Sequence, residues 1–372
     1  MDAKAYEAVQ DIWWQGVRAV RGEAAVENAI RAEQVARPDQ IIAVGKAAAA
    51  MVAGAQAVFG PDIPTLVVTK YDHATTLPGP VRVIEAAHPV PDENTLIAGV
   101  ELMKTVQQLP ENAHLLMLVS GGASSLAELP EEGLTLAALQ AENARLLAEG
   151  LDIHAMNTRR KELSQIKGGK LLAQFGGELV TTLAISDVEG DSLSVIGSGI
   201  GAVPEFHRFS FDPHIVASNE IARTAAAERA KSLGYPVFTN RESLYADVFE
   251  LAEEIGTALR DAPVGIHLWG GEPTILLPPD PGQGGRNQAL ALALAEQISG
   301  VYGLTVLVAG TDGTDGPTDA AGGIVTGATW NEDGKRALRL ADSGHFLESR
   351  SGLFKSGPTG TNVMDLVVAL KD

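Results

Sequence analysis

Cysteine is absent from all 372 residues. That excludes disulfides, thiolate metal sites and cysteine nucleophiles at once. Positive charge is scarce: 28 Lys and Arg face 47 Asp and Glu, giving a formal net charge of −19 and a pI near 4.8. Such a surface repels nucleic acid and anionic membranes, so neither is expected as a partner. No apolar run approaches the ~18 residues that cross a bilayer. The N-terminal "MDAKAYEAVQDIWW" has no basic segment followed by an apolar core, so no secretory signal is read there. The expected location is the cytoplasm.

Several binding signatures are missing too. No "G-x-x-x-x-G-K-[ST]" occurs, which removes a P-loop, and no histidine cluster has metal-ligand spacing. The stretch "GSGIGA" (197–202) formally fits G-x-G-x-x-G/A. Pro204 and the following "EFHRF" do not open a helix, so a dinucleotide fingerprint is not supported.

What is present suits a large core. Hydrophobic residues make up 45% and charged residues 20%, with mean hydropathy +0.07. The length suggests two domains on a soft prior of roughly 150 residues each. Apolar strands ending in glycine alternate with Ala- and Leu-rich helical stretches. "QIIAVGKAAAAMVAGAQAVF" (40–59) reads strand, tight turn, helix, and "HLLMLVSGGASSL" (114–126) reads strand and Gly-Gly turn. "LVTTLAISDVEGD" (179–191) is a strand ending in a polar turn. This alternation predicts an α/β fold: two domains with largely parallel, helix-covered sheets. The pattern restarts after a cluster of turn residues at 232–240, so the boundary is placed between 1–235 and 236–372.

Ligands of open α/β sheets bind beyond the carboxyl ends of the strands. The polar clusters fall there: Gly45-Lys46, Ser120-Gly121-Gly122, Ser186-Asp187 and Gly270-Gly271-Glu272. So does "AGTDGTDGPTDAAGGIVTG" (309–327), which follows the apolar "YGLTVLV" and carries Asp312, Asp315 and Asp319. Turn chemistry explains much of that loop, which does not fit the EF-hand pattern. Lys46 is read at the first turn of the helix that follows a strand. A cation opposes the helix dipole there, so a phosphate bound between them is the functional expectation, against an ordinary solvated lysine.

Arg159, Arg160, Lys161, Lys167 and Lys170 are five of the 28 positive charges within twelve residues. On one helix Arg160, Ser164 and Lys167 would share a face and form an anion-binding wall; a solvated helix face is the plain alternative. Arg286 and Asn287 open another helix in "GGRNQALALALA" (284–295), with the arginine again the wrong charge for the dipole and Asn287 read as an N-cap. The remaining carboxylates are Asp187, Asp191 and Glu272; one or two such groups with substrate phosphates suffice for Mg²⁺. His88 lies before a proline in "AAHPVPDENT", where a structural role is the plainer expectation.

Taken in order, "VGKAAAAM", "AAHPVPDENT", "LVSGGASSL", "NTRRKELSQIKGGKL", "LAISDVEGDSLSVIGSG", "WGGEPT", "GGRNQALALALA", "AGTDGTDGPTDAAGG" and "SGPTGTNVMDL" resemble the glycerate 2-kinase family with a C-terminal MOFRL domain. The matching stretches run from about residue 41 to 366. The resemblance implies transfer of the ATP γ-phosphate to the 2-hydroxyl of D-glycerate, with Mg²⁺, in a cleft between two α/β domains. Lys46, Asp187 and Arg286 become the expected catalytic residues, with Asp187 also the metal ligand and Lys46 and Arg286 facing one another. Ser120, Gly121, Gly122, Arg160, Lys167, Gly271, Glu272, Asn287, Asp312 and Asp315 become the expected glycerate- or nucleotide-binding residues.

Relatives also carry the name hydroxypyruvate reductase, which the missing dinucleotide fingerprint does not favour. A non-catalytic module binding a phosphorylated metabolite is the other alternative. Two departures touch local contacts: "IGAVPEFHRF" follows "GSG" where Pro-Thr and a Pro-Asp turn are usual, and Glu162 replaces a usual histidine. A homodimer is left open.

Overall fold

The computed structural model describes residues 3–148 and 153–372. The chain divides into two compact units. A parallel-sheet unit comprises Arg21–Ser218 with Gly360–Asn362; a mixed-sheet unit comprises the residues up to Val20, Asn219–Thr359 and Val363–Asp372.

The parallel-sheet unit holds strands β1 (Gln40–Val44), β2 (Thr65–Lys70), β3 (Val81–Ala86), β4 (His114–Val119), β5 (Leu179–Ile185) and β6 (Ser210–Ala217). They lie in the order β3-β2-β1-β4-β5-β6, and every neighbouring pair is parallel. Central strands of such a sheet are covered on both faces, which is why "HLLMLV" is apolar without alternation and wholly buried. On one face Ile42, Val44, Leu115 and Met117 pack with Ala98, Leu102 and Val106 of helix α4 (Glu93–Gln107). Asp92 starts that helix with a capping box, accepting from Thr95 N at 3.0 Å while its own N donates to Thr95 Oγ1 at 3.1 Å. The alternate residues Ile41, Ala43, Leu116 and Leu118 are buried as well. Helices α2 (Gly22–Ala32) and α3 (Ala48–Phe59) pack on each other and on the sheet. The strand order reverses between β1 and β4, the point where doubly wound sheets open a ligand crevice.

The mixed-sheet unit holds β7 (Val237–Glu242), β8 (Gly265–Gly271), β9 (Leu304–Gly310), β10 (Gly322–Thr326), β11 (Leu353–Phe354) and β12 (Asp365–Lys371), in the order β11-β10-β9-β12-β8-β7. Only β7 and β8 pair in parallel; β12 is antiparallel to β8 and β9, and β10 to β9 and β11. Parallel pairs remain the majority over the two sheets, as expected, while this unit's own sheet is mixed. For the β9–β10 pair the physical reason is connection length. A parallel crossover needs a dozen or more residues and usually a helix, whereas the loop 311–321 contains no helix and returns the chain beside β9. Helices α9 (Val248–Asp261) and α10 (Arg286–Gln297) cover the face formed by Trp269, Val306, Val308 and Val367. Helices α1 (Ala3–Ala19) and α8 (Asn219–Ser232) pack on each other, α1 also touching β9 and β12 and α8 touching β7 and β8.

The boundary expected near residue 235 is therefore corrected to Ser218/Asn219, and the first twenty residues join the second unit. The cause is packing. Ala5, Ala8, Val9, Ile12, Trp13 and Val17 recur at helical spacing and make a buried face of α1. Leu366 of β12 and Ala226 of α8 lie against Gly16, where a Cβ would stand 3.4 Å from each.

Candidate active site

The site is assembled at the strand-order reversal. After β1 the chain turns through Gly45, Lys46 and Ala47 into α3; after β4 it turns through Ser120, Gly121 and Gly122 into the short helix α5 (Ala123–Leu126). Lys46 N donates to Gly121 O at 2.9 Å and Ala47 N to Ser120 Oγ at 3.1 Å, which ties the two turns together. Ala47 is the N-cap of α3 and makes no side-chain cap, so Lys46 precedes the helix and is not in its first turn. Among the described residues Lys46 has no carboxylate partner.

Glycine at 121 is required by a close approach. A Cβ there would stand 2.7 Å from Asp187 Cγ and closer still to Oδ2. Asp187, two residues beyond β5, thus presses its carboxylate against the turn beyond β4. Gly122 has φ +83°, and a Cβ on it would meet Lys46 Cγ at 3.2 Å and His88 Nε2 at 3.3 Å. His88 is pushed down to about 4, first by burial and then by the charges of Lys46 and Lys70. It stays neutral near pH 7, so the local positive charge belongs to the lysines.

Beside these turns lies a cavity of about 580 Å³ lined by His88, Gly122, Ser124, Asn157, Arg160, Asp187 and Ser198, among others. Helix α7 (Ile153–Glu162), following α6 (Leu136–Ala148), supplies Asn157 and Arg160. Burial lowers the pKa of Arg160, with Glu128 opposing that shift.

Lys167 behaves differently from the expectation. Helix α7 ends at Glu162, and Gly168 and Gly169 follow at φ +63° and +83°, so Arg160, Ser164 and Lys167 do not share one helical face. Lys167 is buried in an ion pair with Glu128, which also accepts from Ser164 Oγ. Burial lowers the Lys167 pKa and Glu128 opposes it. A cation committed in this way is structural, and Lys167 is corrected from ligand contact to core ion pair. Arg159 and Lys170 pair with Glu142 and Glu131 on the surface, and Glu162 pairs with Arg159 at 2.9 Å.

The mixed-sheet unit gathers its own polar cluster at the matching end of its strands. Arg286 opens α10 and reaches Asp365 at 2.8 Å and Glu272 at 2.7 Å. Burial works against its charge, but Asp365 and Glu272 outweigh that and hold its pKa above the ordinary value. Asp315 accepts from Asn287 N at 3.0 Å and Gln288 N at 2.8 Å, satisfying the first donors of α10. Burial pushes Asp315 up to about 6 against those two hydrogen bonds. The anion expected from outside at this helix start is therefore supplied by the chain. The residue before the helix is Gly285; Asn287 is not the N-cap but donates Nδ2 to Asp365 Oδ1 at 2.9 Å. Asp312 accepts from Thr314 N at 2.9 Å, and Asp319 pairs with Lys355 at 2.9 Å. Gly271 sits at φ +134° against Leu244.

Two site features escape a reading of the motifs alone. Asp365 holds Arg286 and Asn287 from the start of β12; its signal is an acid opening the otherwise apolar "LVVAL" strand. Asn157 and Ser198 line the cavity without standing out as charges. Among the described residues no three His, Asp or Glu gather as a metal cage, and no helix is long and apolar enough to cross a membrane. The "GSGIGA" segment adopts left-handed φ at Gly197, Ser198 and Gly199 and is not a strand-to-helix turn.

Residues 8–229 match the domain of unknown function DUF4147, and residues 265–365 match the MOFRL family. These two matches define a two-unit α/β protein of the DUF4147–MOFRL class. A D-glycerate 2-kinase from Thermotoga maritima is 37% identical over 89% of this chain and 90% of its own length. The crystal structure of a glycerate kinase from the same organism superposes with a TM-score of 0.89 at 35% identity, covering 98% of this chain and 99% of that one. A relative from Agrobacterium vitis carrying a hydroxypyruvate reductase name is 35% identical over 88% of this chain and 97% of its own. The chain belongs to the glycerate 2-kinase family.

Proposed function

We propose that the chain is an ATP-dependent glycerate 2-kinase that transfers the γ-phosphate of ATP to the 2-hydroxyl of D-glycerate. The observation that carries this reading is the pair of cations with no carboxylate partner among the described residues, Lys46 and Arg160, around the Gly121-Gly122 turn in a chain of net charge −19. An acidic protein that holds two cations beside a cavity, with no carboxylate partner among its described residues, has prepared a place for an anion. Phosphoryl transfer needs positioning and charge neutralisation more than covalent help. The glycerate hydroxyl oxygen forms the new bond to the γ-phosphorus as the bond to the β,γ-bridging oxygen breaks. ADP departs with that electron pair, and the hydroxyl proton passes to water.

In this assignment Lys46 neutralises phosphate charge beside the N-terminus of α3, and the Gly121-Gly122 turn lets backbone approach the reactants. The Asp187 carboxylate is the residue to hold Mg²⁺. A single carboxylate fits an ion that keeps several waters and takes its other ligands from substrate phosphates, and the Cβ-free cradle at Gly121 leaves room for that carboxylate beside the turn. Mg²⁺ would supply neutralisation of the β- and γ-oxygens. Arg286 is an ion-paired residue whose role is tested separately.

One incubation with D-glycerate, ATP and Mg²⁺, followed by phosphorus NMR, tests the reading. The expected result is 2-phosphoglycerate and ADP, lost on adding EDTA and restored by Mg²⁺. Folded protein that yields no phosphoglycerate, or that oxidises NADH with hydroxypyruvate at a comparable rate, overturns it.

A further inference from the structure

Asn157 is 4% exposed and lines the cavity. Its Oδ1 accepts from Ser198 Oγ at 2.9 Å, and Ser198 Oγ lies 2.8 Å from Ser124 Oγ. Ser198 itself is a non-glycine residue at φ +56°, with its carbonyl accepting from Gly168 N at 2.9 Å. A residue held in that uncommon conformation is over-determined by its surroundings. The relay Ser124–Ser198–Asn157 fixes which way the amide faces, because Oδ1 is taken and only Nδ2 remains to donate. That Nδ2 is buried and has no acceptor among the described residues. Buried donors are almost always paired, so an orphan of this kind needs an explanation.

The explanation lies one helical turn further on. Arg160, at i+3 from Asn157, lines the same cavity, and residues at that spacing sit on one face of a helix. Its guanidinium makes no hydrogen bond or salt bridge among the described residues. The acid that influences it, Glu128, is already engaged by Lys167 and by Ser164. Two donors with no acceptor among the described residues, one neutral and oriented, one cationic, thus share one wall.

We propose that Asn157 Nδ2 and the Arg160 guanidinium form a single oxyanion subsite, with Ser198 and Ser124 as the positioning residues that hold the amide. Its ligand is an oxyanion of a reactant, either the carboxylate of a small 2-hydroxy acid or a phosphate of the nucleotide. The naming of those two sources rests on the kinase reading; the subsite does not. Arginine and amide donors together suit either, since each offers N–H groups to separate oxygens.

The test uses Asn157→Asp, Arg160→Gln and Arg160→Lys in the full chain, with KM for D-glycerate and for ATP measured separately. Asn157→Asp replaces the orphan donor by an acceptor of the same shape. It should raise one of the two KM values at least tenfold and leave the other within about twofold, and Arg160→Gln should raise the same one. Arg160→Lys should recover part of the loss. A rise in KM for glycerate identifies the carboxylate, and a rise in KM for ATP identifies the phosphate. Ser198→Ala should move the same KM by a smaller factor while kcat changes little, which a merely structural role would not select.

If the wild type performs no phosphoryl transfer, thermal melting with D-glycerate, ATP or inorganic phosphate added singly replaces kinetics. The subsite then requires that one of these raises the wild-type melting temperature and that Asn157→Asp abolishes the rise. Should Asn157→Asp fail to fold, Arg160→Gln carries the same readouts. Unchanged KM values in folded Asn157→Asp and Arg160→Gln, or no anion-dependent melting shift in an inactive wild type, overturns the proposal.

Discussion

Gly121→Ala is the smallest change that tests whether the Asp187 carboxylate matters to chemistry. Gly121 does not have a positive φ, so its backbone accepts alanine without conformational strain. The added methyl would stand 2.7 Å from Asp187 Cγ, with Oδ2 closer and Asn362 Nδ2 at 3.3 Å. Ordinary carbon contacts begin at about 3.5 Å, so the carboxylate must withdraw by roughly 1 Å. A misplacement of that size costs about 10²-fold in rate when the displaced group positions reactants. The stability cost of one extra methyl in a packed place is about 1–3 kcal/mol. The expected outcome is a kcat for glycerate phosphorylation reduced by about two orders of magnitude in a protein that remains folded by circular dichroism. KM for glycerate should change much less, since the methyl blocks no wall of the cavity around Asn157. A variant with wild-type kcat would refute the placement of Asp187 in the reaction.

Lys46→Ala should lose activity by about 10²–10³-fold, the typical cost of removing one preorganised charge, with little change in melting temperature because Lys46 has no carboxylate partner among the described residues. Arg286→Ala should lower stability as well as activity: it leaves Asp365 buried and uncompensated, and breaking a buried pair costs about 3–5 kcal/mol. An Arg286→Ala protein as stable as the wild type in urea would contradict that ion-pair role. Asp315→Asn should change the pH profile of unfolding. Burial pushes Asp315 from 3.8 up to about 6, so the folded state holds its proton more tightly, and this contribution to stability is present below the ordinary value and lost as pH rises through 6. The variant should flatten the fall in stability between about pH 4 and 6, which denaturation at several pH values will show.

The parallel-sheet unit was legible because its strands announce themselves. "QIIAV", "HLLMLV" and "LVTTLAI" are continuous apolar runs ending in glycine or small polar residues, and each proved a buried strand with a polar turn at its carboxyl end. The polar turns at Gly45-Lys46 and Gly121-Gly122 followed from that alone; the reversal of strand order between them did not. The mixed-sheet unit was harder for a physical reason. Strand direction depends on where a connection returns, and "LTVLVAG" reads the same whether its neighbour runs with it or against it. The placement of α1 depended likewise on a partner helix, α8, that lies two hundred residues away in the chain.

Lys46 and Arg286 show where the reasoning from charge and helix dipole stops. Both have the same local signature, a cation where a turn enters a helix, and the dipole argument demands an anion beside each. At Lys46 no carboxylate of the described chain answers that demand, and this is what the proposed phosphate contact rests on. At Arg286 the demand is met by Asp365, 79 positions later, by Glu272, and by Asp315 on the helix donors themselves. A local window cannot see a partner at that separation, so an internally neutralised arginine looks open in the sequence. The two cations therefore make different demands in a mutant series. On the proposed reading, loss of Lys46 removes a charge held for the ligand, whereas loss of Arg286 first exposes the charges the chain had gathered around it. Any effect of Arg286→Ala on rate is to be credited to chemistry only after Asp365→Asn has been introduced beside it, because that second change removes the uncompensated carboxylate and leaves the missing guanidinium as the remaining difference.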